Sequence, residues 1–169
     1  MIKVHIWLPK ADMFGHASMH CRDTYISWWP SGPEGRVPST PQFVRNKVPK
    51  TANIYAASPI RNRTFIDDIV AEERHPQTIN LDGLNEREVL SWWASFGLVL
   101  NGQQLAGPLL PWETTSQNCS SVVATGLAKG GGDKFASMYS SWSLIWRPQT
   151  VKDYAESILA GLNRQKAKR

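Results

Sequence analysis

Between residues 30 and 62 the chain carries Pro30, Pro33, Pro38, Pro41, Pro49 and Pro59, and it shows little hydrophobic periodicity there. Each proline fixes φ, has no N–H to donate, and biases the preceding residue away from the helical region. A long helix or a central strand is therefore excluded from this part of the chain. The stretch reads instead as a long, ordered surface excursion, and excursions of that length often carry function. Regular structure must come from the residues before and after it.

The front is β-rich. Ile2, Val4, Ile6 and Leu8 alternate with Lys3, His5 and Trp7, the pattern of a half-buried strand. Pro9 to Gly15 reads as a turn or loop. His16 to His20 forms a second short strand with His16, Ser18 and His20 on one face. Arg22-Asp23-Thr24 has hairpin-turn composition, and Tyr25 to Trp29 is the returning strand, ended by Pro30.

The back is helical. Ile66 to Glu73 fits a short helix or a strand equally well. Asn85, followed three residues on by Glu88, resembles a capping box, with Val89, Leu90, Trp93 and Phe96 on one helical face and a stop at Gly97. A further helix starts near Ser116 to Asn118, buries Val122, Val123 and Leu127, and ends at Gly130-Gly131-Gly132. Pro148 to Leu162 closes the chain with Val151, Tyr154, Ile158 and Leu162 on one stripe. The expected class is α+β, an antiparallel sheet packed against helices, in one domain over 1–169 with a basic tail at 163–169.

Composition narrows the function classes. No stretch approaches the roughly 20 apolar residues of a membrane span, and Met1 to Pro9 lacks the leader pattern of a signal peptide. The net charge is +5, but Arg164, Lys166, Lys168 and Arg169 supply four of those charges, leaving the body near neutral. The aromatics do not interleave with a basic stripe, so nucleic-acid binding is not expected. Two cysteines 98 residues apart give no zinc signature, so no metal or cofactor is expected. They also make no disulfide framework, which fits a reducing compartment. A Gly-x-Ser-x-Gly elbow is absent, and Gly130-Gly131-Gly132-Asp133-Lys134 lacks the phosphate-loop arrangement.

The chemistry-bearing candidates are Cys119 and His16. Free cysteine is often an inert packed residue, but Ser116, Gln117, Asn118, Ser120 and Ser121 surround Cys119 with polar groups. A thiol at a helix start is favoured as thiolate by the unpaired N–H groups and the helix dipole. Gln117 or Asn118, with those N–H groups, would serve a developing oxyanion. His16 stands among small neighbours, Gly15, Ala17 and Ser18, which leave room at its ring. His20 shares its face and is the second choice. His5 points away from the apolar stripe of its strand, and His75 reads as a surface residue. Trp28, Trp29 and Trp112 are candidates to wall a substrate groove, or, in a non-catalytic reading, to form a Trp-rich binding module.

The order Gly15-His16-Ala17-Ser18 first and Asn118-Cys119-Ser120 later resembles the circularly permuted papain-like superfamily, including NlpC-type proteins and the lecithin:retinol acyltransferase group. That resemblance places Ser27, on Tyr25-Ile26-Ser27-Trp28-Trp29-Pro30, where an orienting residue would stand. The same order is similar to acyltransferase domains of bacterial toxins that inactivate host small GTPases, which carry a histidine, an aspartate some fifty residues on and a late cysteine. By that likeness Asp67, or Asp68, is the competing orienter. The resemblance implies a Cys119–His16 enzyme that forms a thioester. Passing it to water, the first expectation, cleaves an amide or ester and gives a peptidase, amidase or deamidase; passing it to a protein lysine or a lipid, the alternative, gives an acyltransferase. Its implied partners are a protein, peptide or acyl-lipid substrate and a cognate inhibitor. Its implied setting is the cytoplasm, or a target cell reached by a specialised secretion route.

Overall fold

The structure, a computed structural model, describes residues 1–10, 15–29, 64–96, 99–100, 103–104 and 118–168. The proline-rich excursion, Gly97, Trp112 and Gln117 lie outside these residues. The observed architecture is α+β, with a four-stranded antiparallel sheet and four helices among the described residues.

Strand β1 (Ile2–Trp7) runs beside β2 (His16–Cys21), which continues through a turn at Arg22 and Asp23 into β3 (Thr24–Ile26). Helix α1 (Phe65–Glu72) follows, and then β4 (Gln77–Leu81) pairs with the other edge of β1. The sheet order is β3-β2-β1-β4. Helix α2 is Glu86–Ser95, β5 (Val99–Leu100) and β6 (Gln103–Gln104) form a small ribbon, α3 is Cys119–Lys129 and α4 is Pro148–Lys166.

The alternation in the first strand sets the two faces of the sheet. In the β1–β2 ladder Trp7 is opposite His16, His5 opposite Ser18 and Lys3 opposite His20. Directly opposed residues share a face, so these six project to one side. Ile2, Val4, Ile6, Ala17, Met19 and Cys21 project to the other, where they are fully buried. Helices α3 and α4 pack on the apolar side. Val151, Tyr154, Ile158 and Leu162 of α4 are buried as its stripe requires, and the helix runs on to Lys166, so Arg164 and Lys166 are helical rather than a frayed end.

The polar side is covered by α1. The segment that fits helix or strand equally well by pattern is a helix because Thr64 and Asp67 form a reciprocal capping box at its start. The Phe65 ring lies 4.5 Å from that of His5 and 5.9 Å from that of Tyr25. Strand β3 is shorter than the expected Tyr25–Trp29, because Ser27 and Trp29 turn their side chains to Asp68 of α1 and Trp28 packs against Phe96. Helix α2 starts at the Asn85 cap, whose side chain accepts from the Glu88 N–H, and ends at Ser95 with an extended Phe96.

One glycine is decisive for the site. Gly15 has φ +75°, and a Cβ on it would lie 2.2 Å from the carbonyl oxygen of Trp7, immediately before His16. Gly15→Ala therefore combines left-handed strain with a backbone clash and should cost about 2–4 kcal/mol of stability. A urea midpoint equal to that of the parent would show that the turn tolerates a side chain.

Candidate active site

The polar residues around Cys119 first do structural work. Asn118 is the N-cap of α3: its Oδ1 accepts from the N–H groups of Ser120 (2.8 Å) and Ser121 (3.1 Å), and its own N–H donates to Ser121 Oγ (2.9 Å). The Asn118 Nδ2 donates to the carbonyl of Trp146 at 2.9 Å. Its amide is thus engaged in capping and tethering, a structural role beside the expected one of oxyanion donor. The helix-start N–H that this cap leaves over is that of Cys119 itself.

The cap seats Cys119 in the first helical position, buried, with its sulfur toward the start of β2. Ser120 Oγ lies 3.9 Å from the sulfur, and the Ala17 backbone and the His16 side chain are its further polar neighbours. Burial pushes the thiol up, but the His16 charge and these polar neighbours outweigh it, and Cys119 is held below its ordinary value. His16 shows the mirror effect. Burial disfavours its charged form, yet the Asp68 carboxylate and Cys119 raise it to about 10. The two shifts run in the sense of a thiolate–imidazolium pair. Cys21 is a contrast within the same chain: it is free, buried and pushed up.

Behind the imidazole stands Asp68. His16 Nε2 is 2.9 Å from Asp68 Oδ2 and 2.9 Å from Ser27 Oγ, and Ser27 in turn donates to Asp68 Oδ2 at 2.7 Å. With Nε2 engaged there, Nδ1 is the nitrogen left for the thiol. Tyr25 donates to Asp68 Oδ2 at 2.5 Å with Ser18 Oγ 2.7 Å from its oxygen, and Trp29 Nε1 donates to Asp68 Oδ1 at 2.7 Å. A buried carboxylate is tolerable only with such a set of donors and a cationic partner.

Asp67 is not the orienter. It is exposed at the third position of α1, accepting from the Thr64 N–H (2.7 Å) and hydroxyl (2.8 Å) as part of the helix cap. The next residue, turned about 100° around the helix, faces the sheet. The expected Ser27 position does sit at the ring, as a partner to Asp68.

The tryptophans are placed otherwise than expected. Trp28 is buried against Phe96, edge to face at 6.0 Å, so it forms core rather than a groove. Trp29 is also buried; it stacks on the His16 ring, with centroids 4.4 Å apart, and fixes Asp68. His20 is not beside the thiol but pairs with His5, Nδ1 to Nε2 at 2.8 Å, while His5 Nδ1 meets Thr78 Oγ1 at 2.9 Å. Burial, then the His20 and Lys3 charges, lower His5 to about 4. Tyr25 and Asp68 were the residues that sequence reasoning undervalued. The pattern Thr64-x-x-Asp67 was the available signal, since it assigns Asp67 to a cap and leaves Asp68 for the face behind.

Among the described residues no group of three or more His, Cys, Asp or Glu is placed to hold a metal ion, and no helix is long and apolar enough to cross a membrane. The family model of the IcsB middle domain matches residues 71–169. The chain belongs to that family. It is thereby related to a bacterial effector domain. No curated protein and no solved structure matches it. The IcsB middle-domain match takes in α2, α3, α4 and Cys119, and it begins three residues after Asp68, so His16, Ser27 and Asp68 come from the part of the chain before it.

Proposed function

We propose that this chain is a permuted papain-like thiol enzyme of an effector, acting inside a target cell, with Cys119 as nucleophile, His16 as its proton partner and Asp68, assisted by Ser27, as orienter. The observation that carries the reading is a buried imidazole held by the Asp68 carboxylate and Ser27, with the buried helix-start thiol of Cys119 as its other neighbour. The Cys119 thiolate attacks an acyl carbon and a C–S bond forms. The oxyanion is met by the Cys119 N–H, and the imidazolium proton goes to the leaving nitrogen or oxygen as its bond to the acyl carbon breaks. Water or an amine then gives its proton to His16, attacks the thioester and releases the thiolate.

Of the two acceptors, an amine is favoured by one distance along the chain. Asp68 lies 52 residues after His16, the spacing of the toxin acyltransferases that the sequence resembles. Of the tryptophans offered for a Trp-rich binding module, Trp28 and Trp29 are buried and present no surface, and Trp112 lies outside the described residues.

Iodoacetamide labelling across pH tests the proposal. Cys119 should alkylate selectively, with an apparent pKa below its ordinary 9.0, while Cys21 stays slow. Equal, slow labelling of both sulfurs would refute it.

A further inference from the structure

The segment between the 3-10 turn (Gly132–Lys134) and α4 presents Met138, Tyr139, Trp142 and Leu144 to solvent, each 70–90% exposed. Large apolar side chains grouped this way mark an interaction surface. The serines between them fold the other way. The N–H groups of Ser140 and Ser141 donate to the Ser137 carbonyl, Ser141 Oγ donates to the Met138 carbonyl, and Ser143 Oγ donates to that of Ile145. Part of the loop's backbone polarity is thus satisfied internally while its apolar groups point out, which lowers the cost of seating the loop at a lipid headgroup boundary.

The loop rises from a cationic site. Ser137 N–H donates to Ser157 Oγ of α4 at 2.8 Å, and Phe135 lies against Gly161 one turn further on. Continuing along that face, a cavity of about 270 Å³ is lined by Lys134, Phe135, Gly161, Arg164, Gln165 and Lys168. No acid lines it. The nearby acids are engaged elsewhere: Asp133 accepts from Tyr154, and Asp82 pairs with Lys166. From Lys134 to Lys152 the chain has no acidic residue at all.

We infer that this face docks on an anionic lipid surface, with Met138, Tyr139, Trp142 and Leu144 entering the headgroup–acyl boundary and Lys134, Arg164 and Lys168 receiving a lipid phosphate. Apolar side chains beside a cationic cavity match the two layers of such a surface in order and in charge. The Asn118–Trp146 hydrogen bond ties the same loop to the cap of the Cys119 helix, so the docking face and the candidate site are directly connected. The inference does not depend on the chemistry proposed for Cys119.

Co-sedimentation of the full chain with phosphatidylcholine vesicles, with and without about 30% phosphatidylserine, tests it. We expect binding to the anionic vesicles at least tenfold tighter than to the neutral ones. The double variant Trp142→Ser/Leu144→Ser and the triple variant Lys134→Gln/Arg164→Gln/Lys168→Gln should each lose about tenfold or more on anionic vesicles, with unchanged circular dichroism. The substituted side chains of the double variant are exposed, so its fold should survive. No preference for anionic vesicles, or full binding by either variant, overturns the inference. So does binding of inorganic phosphate without vesicle binding, or a concentration-dependent dimer that the double variant abolishes.

Discussion

Cys119→Ala should abolish turnover of an activated acyl ester, by on the order of 10⁴–10⁶-fold, while leaving the fold in place. The helix cap is made by Asn118 and Ser121, not by the thiol, and alanine suits a first helical position. The pH dependence of stability gives a second readout. In the folded chain His16 holds its proton up to about 10 rather than the ordinary 6.5, and Cys119 releases its proton below the ordinary 9.0. The two shifts act in opposite senses on stability. The raised His16 contributes stability that is full below 6.5 and is lost as pH rises through about 10, and the lowered Cys119 contributes stability that is full above 9.0 and is lost as pH falls through its folded value. With the thiol gone the second contribution disappears while Asp68 still raises His16. Urea midpoints between pH 6.5 and 9.0 should therefore fall more steeply for the variant than for the parent. A variant curve no steeper than the parent's would disprove the ion pair.

Asp68→Asn should lower turnover by on the order of 10²–10⁴-fold, as when the orienting carboxylate of a triad is made an amide. The asparagine amide would present donors at one of the two oxygen positions, facing either Trp29 or the group of His16, Ser27 and Tyr25, all of which already donate. Such clashes, with loss of the charge opposing the imidazolium, also cost about 3–5 kcal/mol of stability. The alkylation pKa of Cys119 should rise toward its ordinary value, a change that simple loosening of the fold would not produce. Asp67→Asn is the matched control. It alters only an exposed cap, costs at most about 1 kcal/mol, and leaves turnover unchanged. If the two variants exchanged behaviour, the assignment of the orienter would be wrong.

Much of this arrangement could be read from the chain before its structure. The period-2 pattern of Ile2 to Leu8, the Asn85 and Asn118 helix starts and the α4 stripe are local signals, and local signals survive into the fold. The Cys119 and His16 candidates also came from local context. What failed depended on burial at long range. Trp28 and Trp29 look alike in sequence, but one fills the core beside Phe96 and the other braces Asp68. Asp67 and Asp68 are likewise neighbours whose roles are separated only by the turn of a helix. That helix could not be told from a strand by periodicity over eight residues. Tyr25 gave no signal because its partner lies 43 residues away.

Strand β2 has one further consequence. Its odd residues among six, Ala17, Met19 and Cys21, belong to the packed interior, and its even ones, His16, Ser18 and His20, belong to the polar face. Slipping by a single residue would turn the imidazoles into the apolar layer and strand the candidate base on the wrong side, away from Asp68. Misregistered molecules would thus be silent rather than misdirected. Activity per mole of chain then measures the fraction of molecules with correctly paired strands.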